Sequence, residues 1–274
     1  MPAAHYMLET SHAAIAVSES AGSGPVVLLI HGNSSCKEVF RNQIEGEIGQ
    51  SYRLIALDLP GHGRSSDARN PRRSYFMPGY ADMATEVLDR LGVKRFAALG
   101  WSLGGHIGIE MFARNEGMVG LLATGTPPVA NTPAALGLGF RPSEHMGAAG
   151  KRDLTPAEIE AYAHHTCGVN APFEPFLLEA VRRTDGRARE CMFAAFLAGW
   201  GADQLHIAQT CDRPLAIVSG GDEPFVNNDY LRQIKYANLW DAQVHVLDGV
   251  GHAPFWEAPG RFDPIFTRFL ADVL

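Results

Sequence analysis

The segment Gly100-Trp101-Ser102-Leu103-Gly104 is the most informative part of this 274-residue chain for its fold. It follows a run of apolar residues typical of a buried strand, and it opens a segment whose pattern predicts a helix. A G-x-S-x-G sequence between a strand and a helix is typical of the nucleophile elbow, a tight turn that lifts a serine hydroxyl clear of a sheet. The helix N-terminus behind the serine favours developing negative charge. Ser102 is therefore the predicted nucleophile.

Strand and helix patterns alternate on both sides of this turn. The predicted strands are an alternating edge strand at 15–18 and apolar, buried strands at 26–30, 53–57, 95–99, 119–124, 214–218 and 244–247. The predicted helices of this part of the chain lie at 37–49, 80–91, 103–114 and 261–274. Alternating strands and helices predict the α/β class, with a mostly parallel sheet flanked by helices on both faces.

The alternation stops at Gly125, and residues 126–212 carry helical patterns without a good strand. One helix begins at the capping box of Thr155 and Glu158 and runs to about residue 165. Two more are predicted at 172–183 and 186–197. A helical insertion between two strands predicts a cap over an active site, and ordinary packing helices are the alternative. The predicted domains are a core of residues 1–125 and 213–274 and a cap segment of residues 126–212.

A serine nucleophile needs a base, and the base needs an acid that orients it. In this architecture the acid and then the histidine follow the serine in the chain, each after a strand. His252 follows the strand at 244–247 in a loop bounded by glycine and proline, and it is the predicted base. Asp222 and Glu223 both follow the strand at 214–218. Glu223 lies three residues after Gly220 and precedes a proline, so the spacing favours Glu223, with Asp222 as the alternative.

The tetrahedral intermediate of such a reaction needs two hydrogen-bond donors for its oxyanion. The first predicted donor is the backbone N–H of Leu103, the residue after the nucleophile. The second comes from the loop that follows the strand at 26–30. That loop begins His31-Gly32-Asn33, and the backbone N–H of Asn33 is the predicted second donor.

Composition and charge exclude several classes of function. The net charge is −7 and no basic stripe occurs, so nucleic acid is not an expected partner. The longest apolar runs are too short to span a bilayer, and no membrane association is expected. The N-terminal residues lack the pattern of a signal peptide. Four widely spaced cysteines are expected to be reduced thiols, which predicts a cytoplasmic location.

These residues together resemble the α/β-hydrolase superfamily along nearly the whole chain. A narrower resemblance is to the serine-dependent N-acyl homoserine lactonases of that fold. The stretches that carry the narrower resemblance are 31–35, 100–111, 124–129, 162–168, 183–189 and 222–225. The broader markers add the Asp58–Ser65 loop and Gly251-His252-Ala253-Pro254. The resemblance implies the α/β-hydrolase fold with a helical cap inserted after the sixth strand.

The narrower resemblance also implies an activity. Its members open the lactone ring of bacterial quorum-sensing signals, here through an acyl-enzyme on Ser102, without a metal or another cofactor. The expected partner is a small lactone or ester with an apolar acyl chain. The acid of that group is a glutamate, which agrees with Glu223, and a cap tyrosine that contacts substrate corresponds to Tyr162. Trp101, Phe193 and Trp200 are the predicted substrate-binding aromatics along the acyl channel.

Other classes of function remain as alternatives. A carboxylesterase for small acyl esters would use the same residues. Relatives of this fold with an aspartate nucleophile are excluded by Ser102, and metal-dependent lactonases are excluded because no H-x-H-x-D-H cluster occurs. A non-catalytic receptor for a small molecule is a further alternative, because some proteins of this fold bind ligands with an intact triad.

Overall fold

The structure is a computed structural model that describes residues 3–143, 146–167, 171 and 173–274. Its strands form one sheet of eight in the order β1-β2-β4-β3-β5-β6-β7-β8 over the described residues. The strands are β1 (Ala4–Glu9), β2 (Ala14–Glu19), β3 (Val26–Ile30), β4 (Arg53–Leu57), β5 (Phe96–Trp101), β6 (Met118–Thr124), β7 (Leu215–Gly220) and β8 (His245–Leu247). Strand β2 pairs antiparallel with β1 and β4, and all other pairs are parallel.

Helices cover both faces of this sheet. The helices of the described residues, including those of the cap segment, are α1 (Arg41–Glu45), α2 (Glu47–Ser51), α3 (Pro71–Ser74), α4 (Met77–Arg90), α5 (Leu103–Arg114), α6 (Pro133–Gly139), α7 (Pro156–Thr166), α8 (Pro175–Arg183), α9 (Gly186–Leu197), α10 (Gln204–Thr210), α11 (Asn228–Gln233), α12 (Pro254–Glu257) and α13 (Pro259–Val273). Short 3₁₀ turns lie at Lys37–Phe40, Met146–Gly150 and Trp240–Ala242.

The two faces of the central strands belong to two different apolar clusters. In β3, Leu28 and Ile30 pack in one cluster, and Val27 and Leu29 pack in the other. This division follows from the strand period of two, which turns successive side chains to opposite faces. Because helices cover both faces, the central strands are apolar at most positions, as the sequence predicted. The predicted α/β-hydrolase sheet with flanking helices is confirmed.

The parallel strands bring their carboxyl ends to one edge of the sheet. The loop after β3 carries Asn33, the turn after β5 carries Ser102, and the loops after β7 and β8 carry Glu223 and His252. Open α/β sheets bind ligands at this edge. The fold therefore collects four residues that are far apart in sequence into one region.

The structure differs from the sequence prediction at the N-terminal edge of the sheet. Residues 15–18 were expected to form an edge strand, but β1 pairs along the full length of β2 and takes the edge position itself. The helix expected at 37–49 is broken into a 3₁₀ turn, α1 and α2. The break between α1 and α2 falls at Gly46, whose backbone is extended, with φ −79° and ψ −170°.

The cap segment is helical in the residues that the structure describes. It contains α6 to α10 between β6 and β7, and α7 and α8 share a small apolar cluster of Tyr162, Ala163 and Val181. Helix α10 packs against α5 through the main core. The helix expected at 172–183 begins at Pro175, and Pro172 lies outside the described residues. The division of the chain into a core and a cap domain stays a prediction.

None of the helices within the described residues has the length and apolar character needed to cross a membrane.

Candidate active site

Ser102 lies at the turn between β5 and α5 in a strained backbone conformation. Its φ and ψ are 53° and −118°, a region that costs a non-glycine residue about 1–3 kcal/mol. A Cβ on Gly100 would lie 2.4 Å from the carbonyl oxygen of Gly104, and one on Gly104 would lie 2.0 Å from that of Ile30. Both glycines are required because no side chain fits. The structure therefore has the elbow geometry that the sequence predicted.

Thr126, to which the sequence analysis assigned no role, holds this elbow from the loop after β6. Its hydroxyl donates a hydrogen bond to the carbonyl oxygen of Ser102 over 2.9 Å. The N–H of Ser102 donates to the carbonyl oxygen of Thr124, also over 2.9 Å. A Cβ on Gly105 would lie 2.0 Å from Oγ1 of Thr126, so Gly105 leaves the space that this hydroxyl needs.

His252 is paired with Glu223 in a buried hydrogen-bonded unit. Nδ1 of His252 lies 2.8 Å from Oε1 and 2.9 Å from Oε2 of the carboxylate, and the two residues are 3% and 1% exposed. Oε1 also accepts the backbone N–H of Phe225 over 3.0 Å. A carboxylate can only accept, so Nδ1 carries the proton and Nε2 is left as the basic nitrogen. Asp222 is exposed, and the structure does not bring it to the histidine.

Trp101 packs in the protein core, whereas the sequence analysis predicted that it contacts substrate. It is 1% exposed, and its indole Nε1–H donates to the carbonyl oxygen of His252 over 2.9 Å. Its ring centroid lies 5.7 Å from that of His252. Trp101 is the last residue of β5, where the alternation of side chains turns it into the core beneath the histidine loop. Its contacts hold the His252 backbone in place.

A cavity of about 240 Å³ opens at the end of the sheet, and both Ser102 and His252 line it. Its other polar lining residues are Asn33, His106, Tyr162 and Thr166. Most of the remaining wall is apolar, including Met77, Leu136, Phe140, Met192, Phe193 and Phe196. Such a cavity fits a small molecule with one polar end and one apolar chain. Phe193 and Tyr162 thus lie where the sequence predicted substrate contacts.

Trp200 was also expected to contact substrate, but it lies outside the cavity wall. Its side chain is 61% exposed, and its ring makes an edge contact with Phe76 at 6.2 Å. It follows the end of α9, where Gly199 has a φ of +72° and turns the chain away from the helix axis. Leu197, two residues before this turn, takes a place in the cavity wall instead.

The two residues with the predicted oxyanion donors, Asn33 and Leu103, line the same cavity as Ser102. In the described part of the chain, neither the backbone N–H of Asn33 nor that of Leu103 has a hydrogen-bond acceptor. The side chain of Asn33 is held by the cap segment, because its Nδ2 donates to the carbonyl oxygen of Ala149 over 2.9 Å and to the hydroxyl of Tyr162 over 3.4 Å. Unpaired N–H groups beside a nucleophile are what an oxyanion hole requires.

Tyr162 reaches the cavity from α7 in the cap segment. It is 5% exposed, and burial raises the pKa of its hydroxyl well above the usual range. The phenol is therefore protonated at neutral pH. Its oxygen accepts the hydrogen bond from Asn33, and no acceptor for its own O–H occurs within the described residues, so the O–H can donate to a bound ligand.

Among the described residues, no group of three or more histidine, cysteine, aspartate or glutamate side chains could hold a metal ion. The geometry instead brings together a strained serine, a histidine oriented by a carboxylate, and two unpaired N–H groups. This arrangement can perform nucleophilic acyl transfer without help from a metal.

The sequence relationships of the chain agree with this arrangement. The model of a family described as the alpha/beta hydrolase family matches residues 27–264. The chain therefore belongs to the alpha/beta hydrolase family and is a hydrolytic enzyme.

Known proteins similar to this chain include both solved structures and curated relatives. A structure of the N-acyl homoserine lactonase AidH complexed with N-butanoyl homoserine is 51% identical, with a TM-score of 0.96, over 98% of this chain and 97% of that one. A mutant of AidH complexed with N-hexanoyl homoserine is 50% identical, with a TM-score of 0.96, over 99% and 97%. A 2-hydroxy-6-oxononadienedioate/2-hydroxy-6-oxononatrienedioate hydrolase of a Pseudomonas species is 28% identical over 94% of this chain and 92% of its own length. The narrower resemblance inferred from the motifs is confirmed.

Proposed function

We propose that this protein opens the lactone ring of N-acyl homoserine lactones through an acyl-enzyme on Ser102. The observation that carries the proposal is the similarity to AidH at 50–51% identity, which extends over 98–99% of the chain and so includes the cap segment. The substrate-facing wall of the cavity is built largely from that segment.

The four cysteines form no disulfide, and we place the enzyme in the reducing cytoplasm.

The reaction begins at the Ser102 hydroxyl. Nε2 of His252 removes its proton, and Glu223 stabilises the imidazolium that forms. The serine oxygen attacks the lactone carbonyl carbon. The backbone N–H groups of Leu103 and Asn33 donate to the oxyanion of the tetrahedral intermediate, where loss of one donor typically costs about 10²–10³ in rate.

Collapse of this intermediate breaks the bond between the carbonyl carbon and the ring oxygen. The ring oxygen leaves as a hydroxyl after it receives the proton from His252, and the opened homoserine stays attached to Ser102 as an ester. Water activated by His252 then attacks this ester and releases N-acyl homoserine. No metal or other cofactor takes part in these steps.

The substrate amide and acyl chain are placed by the cavity wall. The free O–H of Tyr162 donates to a carbonyl oxygen of the substrate, and its position depends on the hydrogen bond from Asn33. The acyl chain lies along the apolar wall near Phe193 and Phe196. Burial of each methylene contributes about 0.8 kcal/mol, so affinity should rise with chain length until the wall is filled.

The test is ring opening of N-butanoyl, N-hexanoyl and N-decanoyl homoserine lactones, followed by mass spectrometry beside p-nitrophenyl esters of the same acyl lengths. The Ser102→Ala protein is the control, and its kcat should be lower by about 10⁴–10⁶. Trapping of an acylated Ser102 peptide after an acid quench tests the covalent step. Ester cleavage with inert lactones would replace the proposal by a carboxylesterase, and failure of a fluorophosphonate to label Ser102 would leave a ligand receptor.

A further inference from the structure

His106 is a polar side chain on the apolar side of the cavity, and the mechanism above does not use it. It lies on α5, one helical turn after Ser102, and lines the cavity although the residue is 5% exposed. Its ring centroid lies 5.3 Å from that of Phe196 and 6.0 Å from that of Phe140. A buried polar group among aromatic rings is costly unless its hydrogen bonds are made.

Gln204 on α10 determines which ring nitrogen of His106 carries the proton. Nδ1 of His106 lies 2.7 Å from Oε1 of Gln204, and an amide oxygen can only accept. The amide is oriented at its other end, where Nε2 donates to Sδ of Met77 over 3.6 Å. Nδ1 is therefore the protonated nitrogen. Burial lowers the pKa of His106 to about 4, so the ring is neutral and Nε2 holds a lone pair.

This lone pair faces the cavity. Nε2 of His106 has no hydrogen-bond donor among the described residues, yet it is not one of the unpaired polar atoms that are sealed inside the protein. Since the side chain forms part of the cavity wall, the free acceptor is open to a bound ligand. A ligand group that meets it must be a hydrogen-bond donor.

We propose that Nε2 of His106 accepts a hydrogen bond from a hydroxyl on the acyl chain, so that N-(3-hydroxyacyl) homoserine lactones are the preferred substrates. The inference rests on the lactonase function proposed above. Ser102 and His106 line the same cavity and lie four positions apart at the start of α5. Acyl carbon 3 is likewise only a short stretch of substrate away from the carbonyl carbon that Ser102 attacks.

The same acceptor discriminates between substituents on carbon 3. A 3-oxo oxygen has only lone pairs and would face the lone pair of Nε2, which is repulsive. An unsubstituted chain covers Nε2 without offering it a hydrogen-bond donor, so the acceptor loses its water and gains no partner, which leaves its desolvation cost uncompensated. Only the 3-hydroxyl group donates a hydrogen bond to Nε2. We therefore expect kcat/KM to be highest for the 3-hydroxy substrate, lower for the unsubstituted one and lowest for the 3-oxo one.

The experiment compares kcat/KM for N-(3-hydroxyhexanoyl), N-hexanoyl and N-(3-oxohexanoyl) homoserine lactones. With the unmodified protein we expect kcat/KM for the 3-hydroxy substrate to exceed that for the unsubstituted one by about three- to tenfold, which is the effect of one neutral hydrogen bond. The kcat/KM for the 3-oxo substrate should be lower than that for the unsubstituted one. In His106→Phe both differences should disappear, because a phenyl ring fills the site and has no lone pair.

Two further variants separate the hydrogen bond from the shape of the wall. Gln204→Met removes the acceptor that fixes the tautomer, so the His106 ring can then direct an N–H toward the cavity. The kcat/KM for the 3-oxo substrate should therefore rise relative to the values for the other two substrates. Phe196→Leu changes the same wall without changing a polar group, and the 3-hydroxy preference should persist. Gln204→Met also provides the test if His106→Phe does not fold.

The outcomes distinguish this inference from the lactonase proposal. Equal kcat/KM for the three lactones, or a preference for 3-oxo, would overturn the role of His106 and leave the lactonase intact. If no lactone is opened, calorimetry with the Ser102→Ala protein measures binding of the same three compounds. Tighter binding of the 3-hydroxy compound that depends on His106 would then support the inference, and equal or absent binding would overturn it.

Discussion

Glu223 and Asp222 are adjacent in sequence but have opposite environments. Glu223 is 1% exposed and accepts hydrogen bonds from His252 and from the N–H of Phe225, whereas Asp222 faces solvent. Glu223→Gln should lower kcat for N-hexanoyl homoserine lactone by about 10⁴, because an amide can stabilise the wrong tautomer of the histidine. Steady-state assays of the purified variant measure this loss.

Asp222→Asn is the matched control for that substitution, since it makes the same chemical change one residue away. Its kcat should stay within about twofold of the unmodified protein, as for other exposed substitutions away from the site. If Asp222→Asn proves the more damaging change, the spacing argument for Glu223 is wrong.

Thr126 supports a second prediction at the scale of single residues. Thr126→Val keeps the shape of the side chain but removes the hydroxyl that donates to the carbonyl oxygen of Ser102. The free energy of unfolding should fall by about 1 kcal/mol, the net contribution of one hydrogen bond, and kcat should fall as the elbow relaxes. Urea denaturation and steady-state assays measure the two effects.

Thr126→Ser retains the hydroxyl and should recover most of the lost kcat. Equal losses in the valine and serine variants would show that the methyl group matters more than the hydrogen bond, and the positioning role of Thr126 would be wrong.

Residues that lie in turns with a fixed chemistry could be predicted from the sequence. Ser102 lies between two required glycines, and Glu223 and His252 follow strand ends beside glycine and proline. Thr126 and Gln204 could not be predicted, because their roles come from partners that only the fold brings near. Gln204, for example, meets His106 across 98 positions of the chain.

At the scale of elements, Arg189 joins α9 of the cap segment to the loop that carries Asn33. It is 4% exposed, and its guanidinium donates to the carbonyl oxygens of Lys151 over 2.8 Å and Arg152 over 2.9 Å. It also donates to Oγ of Ser34 over 3.3 Å. Five N–H groups in a planar fork can serve several acceptors at once, so one side chain holds two segments together.

Arg189→Met should remove these bonds while keeping an apolar stem of similar length. Four acceptors then lose a donor, namely Oγ of Ser34 and the carbonyl oxygens of Lys151, Arg152 and Val181. The free energy of unfolding should fall by about 2–4 kcal/mol. KM should rise as well, because Ser34 neighbours the Asn33 side chain that supports Tyr162. Thermal denaturation and steady-state assays of the variant measure these changes.

Arg182→Met is the control, since Arg182 lies on α8 with half of its side chain exposed and pairs only with Glu179 among the described residues. The change in the free energy of unfolding should stay within about 0.5 kcal/mol, as is usual for exposed ion pairs. Equal effects in the two variants would show that the contacts of Arg189 do not hold the cap segment in place.

The elements that the sequence predicted best are those with a continuous apolar pattern. Strands β3, β4 and β7 follow from apolar runs, and α5 and α9 match their predicted bounds. Strand β1 was missed because its residues are mostly exposed and its pairing with β2 alone defines it. Helices α10 and α11 were missed because six or seven residues are too few to establish a helical period.

At the scale of the whole molecule, buried histidines link folding to pH. Burial lowers the pKa of His106 to about 4 and lowers the pKa of His31 and His62 from the usual value of 6.5. The unfolded chain therefore binds protons below about pH 6.5 that the folded protein does not bind. The stability that these histidines contribute is fully present above this pH. It is lost as the pH falls from 6.5 toward the pKa of each histidine in the folded protein.

His106→Phe should reduce this pH dependence. One pKa unit corresponds to about 1.4 kcal/mol, so at pH 5 the neutral His106 contributes about 2 kcal/mol to the loss of stability. Between pH 7 and pH 5, the free energy of unfolding in urea should therefore fall by about 2 kcal/mol less in His106→Phe than in the unmodified protein. His206→Phe changes an exposed histidine on α10 and should keep the original dependence. An unchanged pH dependence in His106→Phe would mean that the His106 ring is protonated in the folded protein, and Nε2 would then be a donor to the cavity.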